Sequence, residues 1–160
     1  MKKILSVLFV AIILVSLTGC SISLGGKKEN KKKSLEDLVK LYEKAYNEEK
    51  PELLKEIFPD FMFDVIDEHM SKEDINEQKS YYGSNVKMEI KVTGKTKMDD
   101  EWLKENNDAL KRVYKTDKQM KECYQVEGTM SVKGSENEHN GEIEELWYCD
   151  FDGEWFLIAG

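Results

Sequence analysis

Few side chains in this chain are of the types that carry covalent or metal chemistry. There are three cysteines, Cys20, Cys123 and Cys149, and two histidines, His69 and His139. Neither histidine stands at zinc-ligand spacing from a cysteine or from the other histidine. No Gly-x-Ser-x-Gly, phosphate loop or dinucleotide glycine pattern occurs. With no Cys-x-x-Cys, thiol redox chemistry has no motif to run on. Asp64, Glu144 and Glu145 could act as general bases if a pocket enclosed them; the simpler reading of each is a solvated surface carboxylate. Asp150, Asp152 and Glu154 bracket Gly153 and offer hard oxygen ligands of the kind calcium takes. The twelve-residue calcium-loop pattern is absent, and a tight turn at Asp152-Gly153 explains these residues without an ion. No catalytic residue, metal or cofactor is therefore expected.

The elements that must position these residues follow from periodicity. Ser34-x-x-Asp37 is a capping-box variant, and Leu35, Leu38, Val39, Tyr42, Ala45 and Tyr46 follow at helical spacing. This first helix should end near 47–50. Pro51 suits the first turn of a second helix, carrying Leu53, Leu54, Ile57 and Phe58 and stopped by Pro59. Residues 60–70 read as a third helical segment. Ser71-Lys72-Glu73-Asp74 repeats the cap signature and opens a fourth, at 72–81. At Gly83 the period changes to two: Val86, Met88, Ile90 and Val92 alternate with charged residues and read as a half-buried strand. Asp99 or Asp100 caps another helix with Trp102, Leu103, Leu110, Val113 and Tyr114 inward. Strands then follow at 120–132, with Tyr124, Val126, Met130 and Val132 on one face, at 141–151 and at 154–159. A polar turn at 134–140 joins the first two.

That hairpin bears on the cysteines. A turn centred near residue 137 puts Cys123 and Cys149 opposite one another or within about two residues of it, and a single bulge would decide which. Strand partners lie close to the narrow Cα separation that a disulfide needs, so a Cys123–Cys149 bond is predicted. It would close a 27-residue loop, worth about 3 kcal/mol in the chain-entropy model. The alternative is two buried thiols.

Tyr42, Tyr46, Phe58, Phe61, Trp102, Tyr124, Trp147, Tyr148 and Trp155 are many aromatics for a domain of this size. Each can be explained as core. The order of elements, with helices first and an antiparallel meander ending in Gly153-Glu154-Trp155, resembles the cystatin-like α+β fold of nuclear transport factor two-like domains, as found in uncharacterised bacterial lipoproteins. The resemblance spans residues 35–160. It implies N-terminal helices packed on a curved antiparallel sheet, enclosing a pocket for which Tyr42, Tyr46, Phe61, Trp102, Tyr124, Trp147 and Tyr148 are the candidate lining. Enzymes of that superfamily place a His/Asp or carboxylate base in the pocket, and no matching dyad can be found here.

The N-terminus has its own logic. Lys2 and Lys3 precede an apolar run from Ile4 to Val15 that is too short to span a bilayer comfortably. Leu17-Thr18-Gly19-Cys20 resembles the lipobox of bacterial lipoproteins. That resemblance implies cleavage before Cys20 and lipid on its thiol, with residues 1–19 as signal peptide. Two or more acyl chains anchor stably where one is marginal. Residues 20–34 then form a flexible tether with Lys27, Lys28, Lys31, Lys32 and Lys33 against Glu29. The extended tether reaches roughly 45 Å.

The whole chain carries −8, yet residues 35–160 alone carry −14, so an acidic domain hangs from a basic tether. Nucleic acid is excluded as a partner, because phosphates demand a basic footprint. The expected function is that of a lipid-anchored, extracytoplasmic, non-enzymatic binding or accessory module on the cell membrane, meeting a protein, peptide or small envelope ligand. The rivals are a hydrolase or isomerase with a carboxylate base in the pocket, and a structural part of an envelope or secretion assembly.

Overall fold

The computed structural model describes residues 33–159. Cys20, the signal peptide and all of the tether except Lys33 and Ser34 lie outside the described residues. What is described is an α+β domain: helices followed by a curved five-stranded antiparallel sheet.

Helix α1 (Leu35–Asn47) begins with a complete capping box. Ser34 Oγ accepts from the Asp37 N–H at 3.2 Å, and the Asp37 carboxylate accepts from the Ser34 N–H at 3.3 Å. The expected second helix is a 3₁₀ turn, Pro51–Glu56. The expected third divides into a 3₁₀ turn, Asp60–Met62, and helix α2 (Phe63–His69). Only seven residues lie between Pro51 and Pro59, which leaves room for a short turn, and 3₁₀ geometry is the usual form of such pieces. Helix α3 (Lys72–Tyr82) has its own box, Ser71 with Asp74.

Strand β1 (Lys87–Lys97) runs five residues past the alternating stretch read from sequence. The extension passes through a bulge: Val92 pairs with Gly128 and Gly94 with Glu127, leaving Thr93 unpaired. A bulge resets the alternation, which is why the pattern stops at Val92 although the strand does not. Helix α4 (Asp100–Tyr114) starts at Asp99, whose carboxylate accepts from the Trp102 N–H at 2.8 Å. Strand β2 (Met120–Lys133) is the long central strand. β1 lies along one side of it; β3 (Glu138–Glu142) and then β4 (Leu146–Phe151) share the other, and β5 (Glu154–Ala159) closes the order β1-β2-β4-β5.

The single strand expected at 141–151 is thus two, and the turn before it is tighter than expected, with the Gly134 N–H bonded to the Asn137 carbonyl at 3.0 Å. The tighter turn alone would set Cys123 against Tyr148. The break at residues 143–145 shifts β4 by one residue relative to β3, and this brings Cys123 opposite Cys149. The two are joined by a disulfide with Cα atoms 4.0 Å apart.

Alternation along β4 and β5 sends side chains to two layers of helix. Tyr148, Trp155 and Leu157 join Leu38, Val39, Ile57, Phe58 and Ile66 under α1 and α2. Cys123, Cys149 and Phe151 join Leu103 and Leu110 of α4 on the opposite face. A smaller cluster of Tyr46, Ile75, Tyr82, Met88 and Val132 fixes α3 to the far end of the sheet. Among the described residues no helix is long and apolar enough to cross a membrane.

Candidate functional site

A cleft of about 760 Å³ separates α1 from the outer side of β1, a volume typical of ligand sites. One wall is the flank of α1 that carries Glu36, Val39, Lys40 and Glu43. The other is the strand edge from Ile90 to Lys95, and the floor is Tyr124, Tyr148 and Trp155.

The floor is a stack. The Tyr148 and Trp155 rings lie 4.4 Å apart with 28° between their planes, and Tyr124 lies 6.0 Å from Trp155. Tyr148 and Trp155 are buried. The Tyr148 hydroxyl donates to the Lys33 carbonyl at 2.9 Å, tying the chain entering α1 to the sheet. Burial, and then the carboxylates of Glu36, Asp150 and Asp37, push this hydroxyl up to about 12, so it stays neutral. Tyr124 donates to Glu122 at 2.7 Å, which raises its own pKa. The Lys95 ammonium sits over both tyrosines, 4.4 Å from the ring centre of Tyr124 and 5.2 Å from that of Tyr148. Such a contact is worth about 0.5–1 kcal/mol when exposed.

β1 is an edge strand, and the protein treats its two halves differently. Asn47, at the end of α1, bonds both backbone groups of Met88: its amide donates to the carbonyl at 2.9 Å and its oxygen accepts from the N–H at 2.7 Å. One helical turn earlier, the Glu43 carboxylate accepts from the Ile90 N–H at 2.6 Å. Spacing of i, i+4 puts both side chains on one face of α1. They cover the outward polar groups of the strand as far as the Ile90 N–H, and the cleft begins at Ile90.

The charges of the cleft are also unevenly used. Glu43 is engaged with the strand, and Glu122 with Tyr124 and with Lys97 at 3.0 Å. Lys40, Lys91 and Lys95 have no carboxylate within ion-pair distance among the described residues. The lining thus carries three lysines and three carboxylates, Glu36, Glu43 and Glu122; two of the carboxylates are engaged, and the lysines beside the strand edge are left without an ion-pair partner among the described residues.

Of the seven candidate pocket residues, Tyr124 and Tyr148 line this cleft and five do not. Tyr42 packs edge-on against Phe58 at 6.2 Å, and burial pushes its hydroxyl up to about 12. Tyr46 is buried with Ile75 and Tyr82. Phe61 lies between Tyr114 and Phe151 at 5.4 and 5.5 Å. Trp102 and Trp147 meet at 5.9 Å on the opposite face, against α4. Helices on both faces divide the aromatics between two layers, and one pocket cannot gather them all. Asp64, Glu144 and Glu145 are exposed and outside the cleft. His69 closes α2 with its Nε2 buried and without a hydrogen bond, and His139 lies in β3 opposite Val132. Asp150 accepts from the Gly153 N–H at 2.6 Å and Asp152 pairs with Lys121 at 2.9 Å, as a tight turn requires. Among the described residues no group of three His, Cys, Asp or Glu could hold a metal ion.

Lys40, Glu43, Asn47, Lys91 and the backbone of β1 were not singled out from sequence. A signal for them exists: Lys87, Lys91, Lys95 and Lys97 give one strand a basic character in a domain of net −14. Comparisons with models of protein families, with curated proteins and with solved structures find no match.

Proposed function

We propose that this protein is a lipid-anchored, extracytoplasmic binding module whose ligand sits in the cleft between α1 and β1. The lipobox-like Leu17-Thr18-Gly19-Cys20 supports the anchor, and the nuclear transport factor two-like resemblance belongs to the same reading. The observation that carries the binding role is the cleft: it has the volume of a ligand site, an aromatic floor, and a strand edge left open. Its deepest titratable group is the Tyr148 hydroxyl, held neutral with a pKa of about 12. A general acid or base works best with a pKa near the operating pH, so the floor suits recognition better than proton transfer.

Two measurements test the two halves. Metabolic labelling with a palmitate analogue should mark the wild-type chain and leave Cys20→Ala unlabelled and released from the membrane fraction. An unlabelled wild type would end the anchor. Amide hydrogen exchange of the full chain in detergent, with and without solubilised envelope extract, should show protection confined to the first two turns of α1 and to 90–97. Protection on α4 instead would move the site to the other face.

A further inference from the structure

The open half of β1 carries a more specific reading, which rests on the binding role just proposed and names its ligand class. In an antiparallel edge strand the N–H and C=O of alternate residues point away from the neighbouring strand. Met88 and Ile90 point outward, because Asn47 and Glu43 meet them there. Val92 follows in the same phase. After the bulge at Thr93 the phase is set by Met98, whose N–H bonds inward to the Cys123 carbonyl at 2.9 Å. Lys95 and Lys97 therefore point outward. Both outward groups of Met88 and the N–H of Ile90 are met by α1; those of Val92 and Lys95, in the cleft wall, and of Lys97 just beyond it have no hydrogen-bond partner among the described residues.

An open edge can be a template for an added strand or merely an edge blunted with lysines and a bulge. Two observations favour a template. The edge faces a cleft with an aromatic floor rather than open solvent, and its lysines are not consumed by local carboxylates. Lys91 precedes the bulge, Lys95 follows it, and Lys40 faces both from α1. A second copy of this chain is a poor occupant, since pairing β1 with itself would set lysine against lysine. We infer that the cleft takes an extended acidic peptide segment, which adds as a sixth strand along Val92–Lys97 and sets its carboxylates against Lys40, Lys91 and Lys95. Lys95 lies on the tyrosines in the unoccupied cleft and is exposed, so it can swing to meet the incoming charge.

The test uses full-length protein in detergent and a fluorescent octapeptide of alternating glutamate and threonine. Its controls are the same peptide with lysine for glutamate, and the glutamate peptide N-methylated at alternate amides so that it cannot pair along one edge. The glutamate peptide should bind, and the amides of Val92, Lys95 and Lys97 should gain protection. Lys91→Glu with Lys95→Glu should weaken binding at least tenfold. Neither lysine is in an ion pair, and the exposed contact of Lys95 with the tyrosines is a weak one, so that variant should still fold, melting slightly below the wild type; if it does not fold, the methylated peptide still decides the matter. Equal binding of the lysine or methylated peptide overturns the inference. So does a dimer through β1 without peptide. If the glutamate peptide fails while envelope extract still protects the cleft, the strand-addition inference falls and the binding module stands with another ligand.

Discussion

Two asparagines in this domain do the same job. Asn47 bonds both backbone groups of Met88, and Asn107 on α4 bonds both of Met120, with its amide 3.0 Å from the carbonyl and the N–H 2.7 Å from its oxygen. Each stands in for a neighbouring strand at one residue and fixes a helix to the sheet. Truncation would leave a partly buried donor and acceptor unmet, at about 1–3 kcal/mol. Asn47→Ala should lose stability of that order in urea unfolding and expose Met88 to faster amide exchange; an unchanged midpoint would make the contact incidental. The buried tyrosines make a second residue-level prediction. Burial raises the hydroxyls of Tyr42 and Tyr148 to about 12 from an ordinary 10.0. The folded state therefore keeps protons that the unfolded chain has lost. Their contribution is complete below pH 10 and is lost as pH rises through about 12. Alkaline unfolding should be accompanied by a cooperative rise in tyrosinate absorbance, and a smooth rise well below the unfolding pH would contradict the burial.

At the level of elements, two crossings depend on small or bonded residues. A side chain at Gly128 would place its Cβ 2.1 Å from the Lys91 carbonyl oxygen, just where β1 bulges. Gly128→Ala should push β1 from β2 and cost several times the ordinary surface substitution of about 0.5 kcal/mol, measured by thermal unfolding. Removing the disulfide as Cys123→Ala with Cys149→Ala should cost about 3 kcal/mol. The pairing could be anticipated because both strands alternate, but its register could not. It depends on a turn three residues shorter than polarity suggested and on a one-residue shift at 143–145. The helix starts at Ser34 and Ser71 were legible because capping is local chemistry, and the same chemistry narrowed the start of α4 to Asp99 or Asp100, of which Asp99 is the cap. The 3₁₀ character of Pro51–Glu56 and the reach of β1 past Thr93 were not, since chain geometry and a bulge decide them, and neither leaves a periodic trace.

For the molecule as a whole, the sequence shows an acidic load on a basic tether and many aromatics. It does not show that α4 takes the face opposite α1, which divides those aromatics between two layers and leaves Tyr124, Tyr148 and Trp155 as the floor of a cleft. Nor could it show that lysines 91 and 95 stand beside an open strand edge, because that depends on where α1 stops covering β1. If the cleft is the working surface, a partner in the living envelope must come within reach of it and not of α4. Photo-crosslinking residues placed singly at Glu36, Lys40 and Lys91, and for comparison at Glu101 and Lys104 on the exposed side of α4, would report this in intact cells. The cleft positions should give one shared adduct and the α4 positions none. Adducts from α4 alone, or from every position alike, would show that the cleft between α1 and β1 is not where this protein binds.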